Sequence, residues 1–276
     1  MPRLAVAQTV CQVGDVTANL DQAQDLVAQA HRQRADLICF PELFTTGFAP
    51  DRWHGLAEPI PGPSTERLGQ MAQQAGLFLV AGLLEKDPST GHLHNAAVVL
   101  SPRGTLLARH RKVFLYLGER DLLVAGREPC VCDVGFGKIG VAICYDYVFP
   151  EYIRSLVDRG AQILVHPTAW LTTDACEQWR YHPMSFRAMG MTRALENTVF
   201  FMSANLSGNF DAEGALRAIG QSAVIAPWGE ILAEVQTGPG VAVADADFAR
   251  TPQWREATAP YLADRKVFSW KGVQKT

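Results

Sequence analysis

The sequence predicts an α/β fold with layered, mixed sheets, and two observations carry that expectation. Apolar strand-like runs alternate with helical segments through the first 85 residues or so, and hairpins cluster in the middle and near the end of the chain. Alternation alone would give a parallel, doubly wound sheet, whereas hairpins demand antiparallel pairs. A chain of 276 residues, 48% hydrophobic and 19% charged, can bury a sizeable core without disulfide or metal staples.

In chain order, residues 3–9 read as a first strand, 17–34 as a helix and 36–41 as a second strand. A Gly/Pro-containing loop runs to about residue 63, and Ser64 with Glu66 opens a helix over 64–75. A strand at 77–84 comes next. Two further strands, 93–100 and 105–112, flank Ser101-Pro102-Arg103-Gly104, a hairpin turn. Strands follow at 130–134 and 138–143, a helix at 150–159 and a strand at 161–167. A long helix is expected over 176–196 and a strand at 198–204. The last strands are 219–226, 230–236 and 240–246, with Pro227-Trp228-Gly229 as a turn. Nothing divides the chain into linked units, so residues 1–276 are expected to form a single domain.

Composition excludes several function classes. Net charge is −3, which gives no basic face for nucleic acid or an anionic membrane. No apolar stretch approaches a membrane span, and the N-terminal segment reads as a strand, not a signal peptide. Six cysteines without a small-scaffold spacing fit a reducing cytoplasm. Gly135-Phe136-Gly137-Lys138-Ile139-Gly140 has dinucleotide-fingerprint spacing but leads into an apolar strand, where a pyrophosphate site needs a helix N-terminus. His92 and His94, and Cys130 and Cys132, lack the companions a metal site requires. No Walker A sequence and no G-x-S-x-G elbow occur.

Three charged or nucleophilic residues terminate strand-like runs. Glu42 follows Leu37-Ile38-Cys39-Phe40-Pro41, Lys112 follows Leu106 to Arg111, and Cys144 follows Lys138 to Ile143. A thiol placed where a helix begins is expected to lean toward thiolate. A carboxylate, an ammonium and a thiol, each at the end of a strand-like segment, suggest one site at one edge of a sheet. Each residue by itself has a commonplace reading, as a cap, an exposed basic residue or a core cysteine.

Together, their contexts resemble the nitrilase superfamily of carbon–nitrogen hydrolases. Phe40-Pro41-Glu42-Leu43 resembles the segment bearing its glutamate, and His110-Arg111-Lys112-Val113-Phe114-Leu115 the segment bearing its lysine. Gly140 to Asp146, continuing to Phe149-Pro150-Glu151, resembles the segment bearing its cysteine. Glu119 falls where many members carry a second active-site glutamate. Asn95-Ala96-Ala97-Val98-Val99, Arg193 to Asn197, Ala204-Asn205 and Gly220-Gln221-Ser222 add supporting matches. The resemblance implies a four-layer α-β-β-α sandwich. It further implies a homodimer or larger homo-oligomer, to which a tail from about residue 248 contributes. It implies Cys144 as nucleophile, Glu42 as general base and acid, and Lys112 with the Tyr145 N–H as oxyanion donors. Glu119 would orient Lys112 and the substrate. The scheme uses no metal and no organic cofactor.

Tyr116, Tyr145 and Trp170 adjoin these segments and are candidate substrate-binding walls. Arg180 could meet a substrate carboxylate or could be a solvated helix residue. Cys144-Tyr145-Asp146 looks more like the amidase branches, which makes a small aliphatic or ω-amide the expected substrate. Nitrile or N-carbamoyl hydrolysis, acyl transfer and a non-catalytic binding homologue remain open alternatives.

Overall fold

The computed structural model describes residues 1–173, 176, 178–211, 215–258 and 260–265. In chain order its elements are β1 (Arg3–Gln8), α1 (Val16–Arg32), β2 (Leu37–Cys39), α2 (Trp53–Leu56), α3 (Pro63–Ala75), β3 (Phe78–Lys86), β4 (Leu93–Leu100) and β5 (Leu106–Arg111). There follow α4 (Glu119–Leu122), β6 (Cys130–Asp133), β7 (Lys138–Val141), α5 (Pro150–Asp158), β8 (Ile163–Thr168), β9 (Leu171–Thr172), α6 (Met184–Asn197) and β10 (Phe200–Asn205). The chain continues through β11 (Ser207–Asn209), β12 (Arg217–Ile219), β13 (Ser222–Ile225), β14 (Ile231–Val235), β15 (Gly240–Asp245), α7 (Arg250–Ala257) and α8 (Tyr261–Asp264).

Two six-stranded sheets form, ordered β15-β1-β2-β3-β4-β5 and β14-β13-β10-β8-β7-β6. Each has a parallel centre, β1-β2-β3 or β7-β8-β10, with antiparallel strands outside it. Side-chain alternation along β1 explains the layering. Leu4 and Val6 pack with Ile139, Val141, Val165 and Met202 between the sheets. Ala5 and Ala7 face the opposite way and pack with Leu20, Ala23, Leu26 and Leu68 of α1 and α3. On the far side of the second sheet, Leu164, Phe201 and Ala223 pack with Ile153, Leu156, Phe186 and Ala194 of α5 and α6. Three apolar layers between four layers of structure give the α-β-β-α sandwich. Burial on both faces is why these strands read as continuous apolar runs. Each fully buried Val, Leu or Ile contributes about 1.5–3 kcal/mol of transfer free energy.

The structure corrects a helix start and a strand. The long helix begins at Met184, not 176, because His182 precedes Pro183 and is steered away from helical backbone. Of the missing part, residues 174, 175 and 177 lie outside those described. The strand expected over 219–226 is two strands, β12 and β13, separated at Gly220 and Gln221, both with positive φ. β9, β11 and β12 form a small third sheet that short polar runs such as Ser207-Gly208-Asn209 did not announce. Gly135 to Gly140 lie in the β6–β7 hairpin and in β7 itself, a strand–turn–strand arrangement without a helix N-terminus. The described part of the tail bonds to its own chain: Arg255 Nη2 donates to Thr198 O at 2.9 Å, and Arg265 pairs with Asp158. Residues 259 and 266–276 of that tail lie outside those described.

Candidate active site

Four strand ends and one strand interior converge. Glu42 follows β2 by way of Phe40 and Pro41, and its backbone lies hard against β3. A Cβ on Gly82 would sit 2.5 Å from Glu42 Cα and 2.6 Å from Pro41 O, so only glycine admits this approach. Lys112 directly follows β5, and its N–H donates to Asn95 O at 2.8 Å, holding the lysine beside β4.

The buried Lys112 ammonium donates to Glu42 Oε1 and to Glu119 Oε2, each at 2.7 Å. Glu119 opens α4, a short turn that brings its carboxylate back toward Lys112, and Oε2 also accepts from Tyr116 N at 2.7 Å. Asn95 Nδ2 donates to Glu42 Oε1 and to Glu119 Oε1, both at 2.7 Å. Ala169 N donates to Glu42 Oε2 at 2.9 Å. Burial by itself lowers the Lys112 pKa, but the Glu42 and Glu119 charges outweigh it and raise it well above the usual lysine value. The ammonium is therefore retained in a dry site.

Cys144 opens a 3-10 turn, Cys144–Val148, with a φ of 43°, a left-handed conformation that costs a non-glycine residue about 1–3 kcal/mol. Neighbouring groups pin the turn in place. Arg193 of α6 donates to Tyr147 O at 2.8 Å and to Val148 O at 3.0 Å. His166 Nε2 lies 3.1 Å from Cys144 O, and Nδ1 lies 3.0 Å from Ser203 Oγ. A carbonyl can only accept, so Nε2 carries the hydrogen and Nδ1 accepts from the serine. Burial pushes the His166 imidazole down to about 3, so it is neutral.

The expected thiolate does not form at rest. Burial pushes the Cys144 thiol up, Glu42 adds to the rise, and Lys112 and Thr168 pull down without overcoming it. A five-residue 3-10 turn has little dipole to offer, and α5 begins only at Pro150. The thiol thus keeps its proton until a base removes it, with Glu42 and Lys112 both close enough to act on it electrostatically.

Of the three candidate walls, the Tyr116 and Tyr145 rings lie together, centroids 5.0 Å apart, with the Tyr116 phenol within electrostatic reach of Cys144. Trp170 follows Ala169, is fixed by Asn205 Oδ1 through its N–H at 2.8 Å, and donates from Nε1 to Tyr181 OH at 3.1 Å. Its ring also packs on Tyr147 and Phe186, so much of it serves the core. Arg180 is exposed, on the turn that leads to α6. Asn95, the Ala169 N–H and His166 were not singled out from sequence. Asn95 carried a signal, a lone amide entering the buried apolar run Ala96 to Leu100, and His166 carried a similar one within β8.

The carbon–nitrogen hydrolase family model matches residues 3–256. An omega-amidase from Xenopus tropicalis is 32% identical over 247 residues, 86% of each chain. A nitrilase from Pyrococcus abyssi is 35% identical over 253 residues, 90% of each chain. The solved structure of a mutant amidase from Nesterenkonia sp. AN1, with acrylamide added to its active-site cysteine, matches at a TM-score of 0.81 and 29% identity, covering 97% of each chain.

Proposed function

This chain belongs to the carbon–nitrogen hydrolase family, and we propose that it hydrolyses a small primary amide, aliphatic or ω-, through a thioester on Cys144. The observation that carries the reading is the buried Lys112 ammonium held 2.7 Å from both Glu42 and Glu119, with the Cys144 thiol in the same cluster. That arrangement supplies a nucleophile, a base and a fixed cation at one point.

The Cys144 sulfur attacks the amide carbon while its proton passes to Glu42. The carbonyl electrons move onto oxygen, where Lys112 Nζ and the Tyr145 N–H receive the negative charge. Each such donor stabilises the transition state by about 3–4 kcal/mol. The oxyanion collapses, the C–N bond breaks, and Glu42 gives its proton to the departing ammonia. Water then attacks the thioester, Glu42 takes the water's proton, and the second oxyanion is held by the same donors. Cleavage of the C–S bond returns the proton to sulfur and releases the carboxylic acid. Glu119 holds Lys112 and faces the substrate amide. Asn95 keeps the two carboxylates in place, and the raised thiol pKa explains why a base is needed at all. Tyr116, Tyr145 and Trp170 form the substrate walls.

Two coarser points complete the reading. All six cysteines are free thiols, which supports a reducing, cytoplasmic setting, and among the described residues no helix is long and apolar enough to cross a membrane. A homodimer or larger homo-oligomer is proposed from the family resemblance, with the tail as one contact.

The test is kcat/KM for a panel of amides, N-carbamoyl compounds and nitriles, read by released ammonia, in wild type and Cys144→Ala. The expected result is turnover of a primary amide that Cys144→Ala abolishes. A tenfold preference for the matching nitrile, about 1.4 kcal/mol in transition-state binding, would replace the amidase reading with the nitrilase one.

A further inference from the structure

Asp146 belongs to the cysteine motif, yet the mechanism above gives it no role. It is fully buried, and its carboxylate is shared between two backbone segments. Oδ1 accepts from Val113 N at 3.0 Å and from Phe114 N at 2.8 Å, the two residues that follow Lys112. Oδ2 accepts from Ile143 N at 3.0 Å, the residue before Cys144, and faces His110 Nε2 at 3.3 Å. His110 lies in β5, two residues before Lys112, and its Nε2 is also 3.2 Å from the Tyr152 hydroxyl, which donates to Val141 O at 3.2 Å. One carboxylate therefore ties the segment carrying the ammonium to the turn carrying the thiol and the Tyr145 N–H.

We propose that Asp146 is a positioning residue that sets the separation between the Lys112 ammonium and the Cys144–Tyr145 turn, and so assembles the oxyanion site. The proposal rests on the hydrolase reading above. The other ties among the described residues are of a different kind: Lys112 is held to β4 by its own N–H, the cysteine turn to α6 by Arg193, and Tyr152 reaches from α5 to link His110 with Val141. A carboxylate suits the task because it can accept from both sides at once. An asparagine cannot, since its amide nitrogen would face N–H donors on one side or the other. The chemical consequence is selective. Oxyanion stabilisation needs both segments in register, whereas simple alkylation of the thiol needs only the cysteine turn.

The test compares Asp146→Asn with wild type in three measurements: kcat and KM for the best amide, and the rate at which iodoacetamide alkylates Cys144. The expected result is a fall in kcat of about 10²-fold, the scale of a misplacement near 1 Å, with KM and alkylation kept. An unchanged kcat overturns the proposal. A parallel loss of kcat and alkylation also overturns it, since Asp146 would then merely support the cysteine turn. Should Asp146→Asn be insoluble, His110→Phe removes one of the four donors and is expected to lower kcat several-fold with alkylation kept, and a wild-type kcat in that variant overturns the proposal. Failure of the hydrolase reading is seen separately, as turnover that survives Cys144→Ala.

Discussion

Gly82→Ala touches no reacting group, yet the structure makes it a test of how Glu42 is placed. The new methyl would lie 2.5 Å from Glu42 Cα and 2.6 Å from Pro41 O, against an ordinary contact limit of 3.4 Å. The β3 backbone and the Glu42 backbone must then part by about 0.9 Å, the difference between 3.4 and 2.5 Å. The neighbouring bond from Gly82 N to Pro41 O, 3.1 Å long, would stretch with them. Such a shift takes the Glu42 carboxylate off its 2.7 Å contacts with Lys112 and Asn95. Misplacement on this scale costs about 10²-fold in rate, and the overpacking costs about 1–3 kcal/mol of stability. Gly55→Ala is the control, because nothing lies within 4 Å of its added methyl. The assay is steady-state ammonia release alongside thermal unfolding of both variants. The expected outcome is a folded, less stable Gly82→Ala with kcat down about 10²-fold and a Gly55→Ala like wild type. A folded Gly82→Ala with wild-type kcat would refute the argument that close approach of β3 fixes the base.

Four further outcomes are expected. Glu42→Gln should lose at least about 10²-fold in kcat, the contribution of a positioned base. Lys112→Met should lose a similar rate and also about 3–5 kcal/mol of stability, because it strands two buried carboxylates; near wild-type turnover in either would show the assignment to be wrong. His166 links stability to acid: burial lowers its folded pKa to about 3, while an unfolded histidine titrates near 6.5. Between those values the unfolded chain binds a proton that the folded chain does not, so stability is full above about 6.5 and falls as pH drops toward about 3. Denaturant melts of His166→Gln should therefore show a shallower acid slope, and an identical slope would discount the link. Light scattering at micromolar protein should report at least a dimer, and a strictly monomeric mass would contradict the proposed assembly.

Much of this molecule was legible in one dimension because its layers write themselves into local patterns. β1, β3, β4 and β8 are buried on both faces, so each appears as an unbroken apolar run, and the residue that interrupts or follows it stands out. Glu42 and Cys144 stood out in the same way after the buried strands β2 and β7, whereas Lys112 follows the largely exposed β5 and stood out through its flanking motif. Other features depend on partners distant in sequence. Asn95 gains its meaning only when β4 carries it between Glu42 and Glu119, 53 and 24 residues away. Asp146 needs Val113 and Phe114, 33 and 32 residues back. The protonation of Cys144 was misread from sequence because a helix start suggested thiolate, whereas the environment of a buried thiol is a sum over everything packed around it. Burial and Glu42 raise its pKa further than Lys112 and Thr168 lower it, and that balance exists only once the two sheets have closed. The sequence by itself determined the strands of the two large sheets, which chemistries sit at their ends and which family they belong to. Tertiary structure decided which of those groups touch, how each is charged and how tightly it is held, because desolvation and Coulomb interactions depend on distance in space and not along the chain.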